Sequence, residues 1–252
     1  MKKRKVVILG HAVSDERGKS SGGKPGNQTG NELRFQEWYL RAKGWTDVLR
    51  AKKKSLRKKI ASAIQCLVRN PRIGYDQKQR TTLYREAYNV KWDLSKISVP
   101  CSTDCSALES VALNACGVKV SKDIYTGDMV EKIMETGEFH DLTGKEYTQT
   151  SDNLEVGDIL VGPGHTATVV EVKEMLVLER TLRYVSGALL TGDDVKELQK
   201  ILKSLGLYND KKDGIFGVNT ERAVIAYQKA HGLTPDGVVG KNTATSLGFA
   251  WK

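Results

Sequence analysis

The sequence has no apolar run long enough to cross a membrane, and only four cysteines among 252 residues. The first absence argues against stable membrane insertion, since a helical span needs about 20 apolar residues. The second excludes the dense disulfide framework that stabilises many small secreted domains. Histidines number four and prolines five. The opening Met-Lys-Lys-Arg-Lys is followed only by Val6, Val7, Ile8 and Leu9 before Gly10, too short an apolar run for a secretory signal. Low-complexity tracts are also missing. At 39% hydrophobic and 28% charged, the composition is that of a globular chain rather than a disordered one.

What is abundant is positive charge. The formal +10 at pH 7 points to an anionic partner such as nucleic acid, acidic lipid or the polymers of a Gram-positive wall. Residues 185–252 hold nine Lys and Arg against seven Asp and Glu, which leaves +8 on the first 184. Much of that excess is Lys52, Lys53, Lys54, Arg57, Lys58 and Lys59, on a stretch where Leu56, Ile60, Ile64 and Leu67 recur at helical spacing. This reads as the solvated face of a helix. No helix-turn-helix, RNP-like strand or zinc-finger spacing accompanies it, which argues against nucleic acid.

The C-terminal third carries an internal repeat, Asp213-Gly-Ile-Phe-Gly-Val-Asn-Thr220 and Asp236-Gly-Val-Val-Gly-Lys-Asn-Thr243. In each copy Asp-Gly makes a turn, two apolar residues enter the core, and Gly-x-Asn-Thr opens a helix with a capping side chain. Apolar stripes at Val195, Leu198, Ile201, Leu202 and Leu205, and at Ala223, Val224, Tyr227 and Ala230, predict flanking helices. Leu205-Gly-Leu-Tyr208, the first repeat copy and Ala223-Val-Ile-Ala-Tyr-Gln228 resemble the peptidoglycan-binding domain 1 family. The resemblance implies a three-helix domain from about Gly192 to Leu247. Two glycines between Arg180 and Asp193 mark a linker, so the expected domains are 1–186 and 187–252.

In Asp104-Cys105-Ser106-Ala107-Leu108-Glu109, the apolar face Leu108, Val111, Ala112 and Ala115 predicts a helix with Cys105 in its first turn. Backbone N–H groups there favour a thiolate and are placed to hold an oxyanion. A thiol nucleophile needs a base, usually histidine. His165 follows Gly162-Pro-Gly164 and opens the strand-like run His-Thr-Ala-Thr-Val-Val-Glu171; a turn at Lys173-Glu174 is expected to send Met175–Glu179 back as a hairpin. Glu179 is then the candidate to orient the imidazole. Glu171, Asp152 and Asn153 are its rivals, and His11 is the runner-up base.

Asp104-Cys105-Ser106 looks like the Asp-Cys-Ser-Gly of NlpC/P60 peptidases. Val156-Gly-Asp-Ile-Leu followed by Gly164-His165 looks like that family's second motif. Ala107 replaces its usual glycine, and a Gly-Gly segment before Asp-Cys is absent. The resemblance implies an α+β, papain-like fold and a cysteine endopeptidase with Cys105, His165 and Glu179 in the catalytic roles and no metal or cofactor. Cleavage next to D-glutamate in the peptidoglycan stem peptide is the implied reaction. An N-acetylmuramoyl-L-alanine amidase with the same Cys-His pair is the close alternative. His11–Gly18 and the Gly-rich Gly22–Gly30 also resemble phage lysins. Asp15 and Glu16 are expected to line the substrate groove with Asp104 and Ser106, and Tyr75 to back the cysteine. An endolysin held in the host cytoplasm until a holin-type pore opens fits the missing signal.

Two other functions compete. Cys101, Cys105 and Cys116 superficially offer three thiolates to zinc, but Cys105 and Cys116 would lie about 16 Å apart on one helix. A non-catalytic wall-binding protein is the second.

Overall fold

A computed structural model describes residues 2–252. The chain divides into two compact units, residues 6–173 and residues 2–5 with 174–252. In chain order the elements are β1 (Lys3–Ala12), β2 (Leu33–Glu37), β3 (Asp47–Ala51), α1 (Lys54–Arg69), β4 (Ile73–Tyr75), α2 (Thr82–Asn89), β5 (Cys101–Thr103) and α3 (Cys105–Ala115). There follow α4 (Met129–Met134), β6 (Phe139–Leu142), α5 (Lys145–Thr148), β7 (Ile159–Gly162) and β8 (His165–Leu178). The chain then forms β9 (Leu190–Thr191), α6 (Asp193–Ser204), β10 (Ile215–Phe216), α7 (Val218–Ala230), α8 (Lys241–Ser246) and β11 (Ala250–Trp251). Helix and strand are thus mixed in the first unit. No helix among the described residues is long and apolar enough to cross a membrane.

The first unit is built on strands in the order β2-β1-β8-β7-β3-β6. Strand alternation sorts its side chains. Val7, Leu9, Ala167 and Val169 join Trp45, Val48 and Leu160 in one apolar cluster. Ala12 and Val170 join α1 and α3 residues in another. Helix α1 buries Leu56, Ile60, Ile64 and Leu67 and leaves Lys54, Lys58 and Lys59 in solvent. The Val156-Gly-Asp sequence has a scaffolding role. Gly157 sits at φ +90°, where a Cβ would fall 2.3 Å from the Arg57 carbonyl oxygen. Asp158 accepts a fork from Arg50 at 2.8 and 2.6 Å, fastening β3 to the start of β7.

The expected hairpin at Lys173-Glu174 does not form, because β8 runs unbroken for 14 residues. Neither residue supplies the positive φ that tight hairpin turns require. The two compact units divide between Lys173 and Glu174, within β8.

In the second unit α6, α7 and α8 surround Val195, Leu198, Leu202, Phe216, Val224, Tyr227 and Phe249. The internal repeat has a physical cause in two buried glutamines. Gln199 Nε2 donates to Asp213, the Ile215 carbonyl and Thr220, while its Oε1 accepts from Gly214 N–H. Gln228 repeats this with Asp236, the Val238 carbonyl, Thr243 and Gly237 N–H. Each amide satisfies its own polar groups and closes one turn, as burial demands. The expected helix-capping side chains are absent: Gly217 and Gly240 are the N-caps, and Asn219 instead donates to Asp210 at 2.6 Å. Leu205 ends α6 as its C-cap and stays 50% exposed, so it leaves the apolar stripe.

Candidate active site

Cys105 is the first residue of α3, and its predecessor Asp104 caps the helix by accepting from Ala107 N–H at 2.7 Å. The cap consumes one of the free amides of the first turn and fixes where the thiol emerges. Cys105 is buried, and its sulfur meets the backbone N–H groups of Thr166 and Ser106. Thr166 follows His165, so the thiol lies against the strand end that carries the imidazole. Burial, then the Asp104 charge, pushes the thiol up to about 12 against the pull of those two amides.

The structure gives His165 a different partner from the expected one. His11 Nδ1 and His165 Nε2 are 2.8 Å apart, their rings edge to face with centroids at 5.1 Å. The two residues are 154 positions apart in sequence and meet because β1 lies beside β8. Burial pushes His165 down to about 3, with His11, Arg41 and Arg34 adding to the effect. His11 falls to about 4 through burial and Arg34, partly offset by Gln36. Burial thus favours the uncharged form of the thiol and of both imidazoles.

Glu179 is not at this site. It lies beyond the end of β8 in the other unit, where Lys2 at 3.5 Å and Lys252 at 3.4 Å pair with its carboxylate and lower its pKa. Because β8 does not turn back, each residue after His165 moves about 3.3 Å further along the strand. Glu171, a rival, is paired instead with Lys173 at 3.6 Å.

The structure brings three other expected residues to the cysteine. Tyr75 pairs in register with Thr103 across the parallel β4–β5 ladder, which closes a 30-residue separation. Its buried phenol is raised by burial and by the nearby Cys105 and Asp104. Asp104 and Ser106 line a cavity of about 330 Å³ with Gln77, Arg80, Tyr125 and Gly164. Their side chains are also tied to Arg80 Nη1, at 3.0 and 3.1 Å. Asp15 and Glu16 belong to a structural loop. Asp15 is buried and accepts from the Arg17 guanidinium and from the Arg17 and Lys19 amides. Glu16 accepts from Lys24 N–H at 3.2 Å. The glycines that follow let this loop lie edge-on to β4: a Cβ on Gly74 would come within 2.4 Å of the Gly26 carbonyl.

Sequence reasoning missed Tyr39, Trp45, Arg34 and Arg41, which surround the two imidazoles. One signal was legible: Val7, Leu9 and His11 alternate onto one face of a strand. His11→Ala is expected to lower kcat/KM for wall lysis about 10- to 100-fold, because His165 loses the group that fixes its tautomer. Initial-rate turbidimetry of wall suspensions measures this, and an unchanged rate would remove His11 from the mechanism.

Residues 9–175 match the endolysin-like domain family, well over half of the chain, and the chain belongs to that family. Residues 191–247 match the family described as "Putative peptidoglycan binding domain". The N-acetylmuramoyl-L-alanine amidase CwlM of Mycobacterium tuberculosis is 47% identical over 70 residues, 28% of this chain and 17% of that protein. A spore cortex-lytic enzyme of Halalkalibacterium halodurans is 49% identical over 57 residues, 23% of this chain and 17% of that protein. The chain thus spans about a sixth of the length of these relatives. Among solved structures, the SleB N-terminal domain is 35% identical with a TM-score of 0.26, covering 28% of this chain and 92% of that one.

Proposed function

We propose that the chain is a peptidoglycan hydrolase that cuts an amide bond of the stem peptide, next to D-glutamate, with Cys105 as nucleophile and His165 as base. The observation that carries this reading is the buried Cys105 thiol at the Thr166 amide, next to His165, whose Nε2 is held by His11 of the neighbouring strand β1. When Nε2 of His165 donates to Nδ1 of His11, Nδ1 of His165 keeps its lone pair. As Cys105 sulfur attacks the amide carbon, its proton passes to that nitrogen. The oxyanion is held by free amides at the start of α3. His165 then protonates the leaving amine, the C–N bond breaks, and a thioester remains. Water, deprotonated by His165, hydrolyses the thioester and restores the thiol.

The Asp104-Cys105-Ser106 and Gly164-His165 sequences support an NlpC/P60-type mechanism, with His11 in the place first expected for Glu179. Residues 191–247 would hold the enzyme on its insoluble substrate, the wall of a Gram-positive host. A phage enzyme waiting in the host cytoplasm for a holin-type pore is the biological setting this reading fits.

An amidase cutting the muramoyl–L-alanine link by the same chemistry is a second reading, favoured by the name of the mycobacterial relative. Mass spectrometry of fragments released from Gram-positive peptidoglycan by the wild-type chain decides between them. Fragments cut inside the stem peptide are expected. Intact stem peptides freed from glycan would make the enzyme an amidase, and no release at all would overturn the hydrolase reading.

A further inference from the structure

Two arginines flank the imidazole pair, and neither has a counter-ion among the described residues. Arg34 is the cross-strand partner of His11 in the antiparallel β1–β2 ladder, so the two side chains share a face of the sheet. Arg41 stacks on Trp45, its guanidinium carbon 5.1 Å from the ring centroid, and donates through Nη2 to the Pro163 carbonyl at 3.3 Å. Trp45 in turn lies 6.0 Å from the His165 ring. Arg34 Nε and Arg41 Nη1 are buried and find no hydrogen-bond acceptor. Among the described residues no carboxylate forms an ion pair with either arginine. Buried guanidinium N–H groups left without acceptors are costly, and in a native structure they call for an explanation.

We infer that Arg34 and Arg41 form an anion site beside the His11–His165 pair, and that it takes a carboxylate of the substrate. This deepens the hydrolase reading and rests on it for the identity of the ligand: a stem peptide cut next to glutamate carries a free carboxylate near the scissile amide. A planar carboxylate suits the guanidinium fork. The groups facing the two imidazoles are Arg34, Arg41, the Gln36 amide and the Tyr39 and Trp45 rings, and no carboxylate is among them. Both guanidiniums depress both histidines. A carboxylate seated between them offsets that field and raises the imidazoles toward neutral pH, so His165 becomes able to take the Cys105 proton when substrate is bound.

The test is a pH titration of imidazole 15N resonances in the full chain, with His140→Asn and His231→Asn introduced to leave only the two site histidines. N-acetyl-D-glutamate is the probe, and inorganic phosphate the competing anion. Saturating N-acetyl-D-glutamate is expected to raise the histidine midpoints by about one pH unit or more. Arg34→Gln with Arg41→Gln is expected to raise them without ligand and to abolish the ligand-induced rise. Should the double variant unfold, Arg41→Lys alone keeps the charge but loses the fork, and is expected to retain the low midpoints with a much smaller ligand response. An unshifted wild-type titration, an equal shift in the arginine variants, or a shift produced by phosphate and not by the carboxylate would overturn the assignment. Lysis does not enter this readout, so a chain that cuts peptidoglycan yet shows no carboxylate-induced shift loses the anion site and keeps the hydrolase reading.

Discussion

Cys105→Ala is expected to reduce the lysis rate of purified Gram-positive wall by more than about 10³-fold, while co-sedimentation of the protein with insoluble wall is unchanged. The variant removes the only atom proposed to bond to substrate and leaves the His11–His165 hydrogen bond in place. Without the sulfur no thioester can form, and direct attack of water on an unactivated amide is far slower than attack by a thiol. Cys105→Ser separates chemistry from shape. Its hydroxyl occupies nearly the same space but gives up its proton far less readily than a thiol, so lysis is expected to fall almost as far. Activity within about tenfold of wild type in either variant would end the cysteine mechanism. Loss of wall binding in the alanine variant would show that residues 191–247 are not sufficient for attachment.

The second large effect concerns stability and pH. Glu109, one turn along α3 from Cys105, is 1% exposed, and both of its carboxyl oxygens lie within 2.8 Å of the Thr168 hydroxyl on β8. Burial pushes its pKa from the ordinary 4.5 up to about 8. The unfolded chain therefore releases this proton above 4.5, while the folded chain keeps it until about pH 8. Across that window the folded state binds more protons, so stability falls as pH rises. The loss is roughly 1.4 kcal/mol per pH unit, or about 4 to 5 kcal/mol in all. Glu109→Gln, which cannot ionise, is expected to remove this slope and to be the more stable protein at pH 9. Urea denaturation of both proteins at pH 5, 7 and 9 measures it. Parallel pH dependences would mean that Glu109 is not buried as a neutral acid.

Much of the first unit is legible locally. The Leu56, Ile60, Ile64 and Leu67 spacing marks α1, and the apolar face after Asp104 marks α3 with its cap. Local patterns also place Cys105 at a helix start and His165 at a strand start. Lys173-Glu174 reads locally as a hairpin turn that would bring Glu179 back toward His165, whereas both residues continue β8. Tyr75 reaches the cysteine only through a parallel ladder between β4 and β5, and parallel pairing leaves no turn signature in the sequence. The repeat was visible as letters, but its cause was not. Gln199 and Gln228 lie outside the repeated octapeptides and are recognisable only when their amides are seen closing each turn.

The sequence by itself determined that Cys105 opens a helix and His165 opens a strand, and that a repeat-bearing C-terminal segment follows, because helix caps, strand alternation and short repeats are written in neighbouring residues. Only the tertiary structure decided what His165 leans on and what charge surrounds it. The strand order β2-β1-β8 sets His11 against His165 across 154 positions and brings Arg34 alongside. That order comes from burying both faces of the sheet at once, a global packing condition that no local window of sequence expresses.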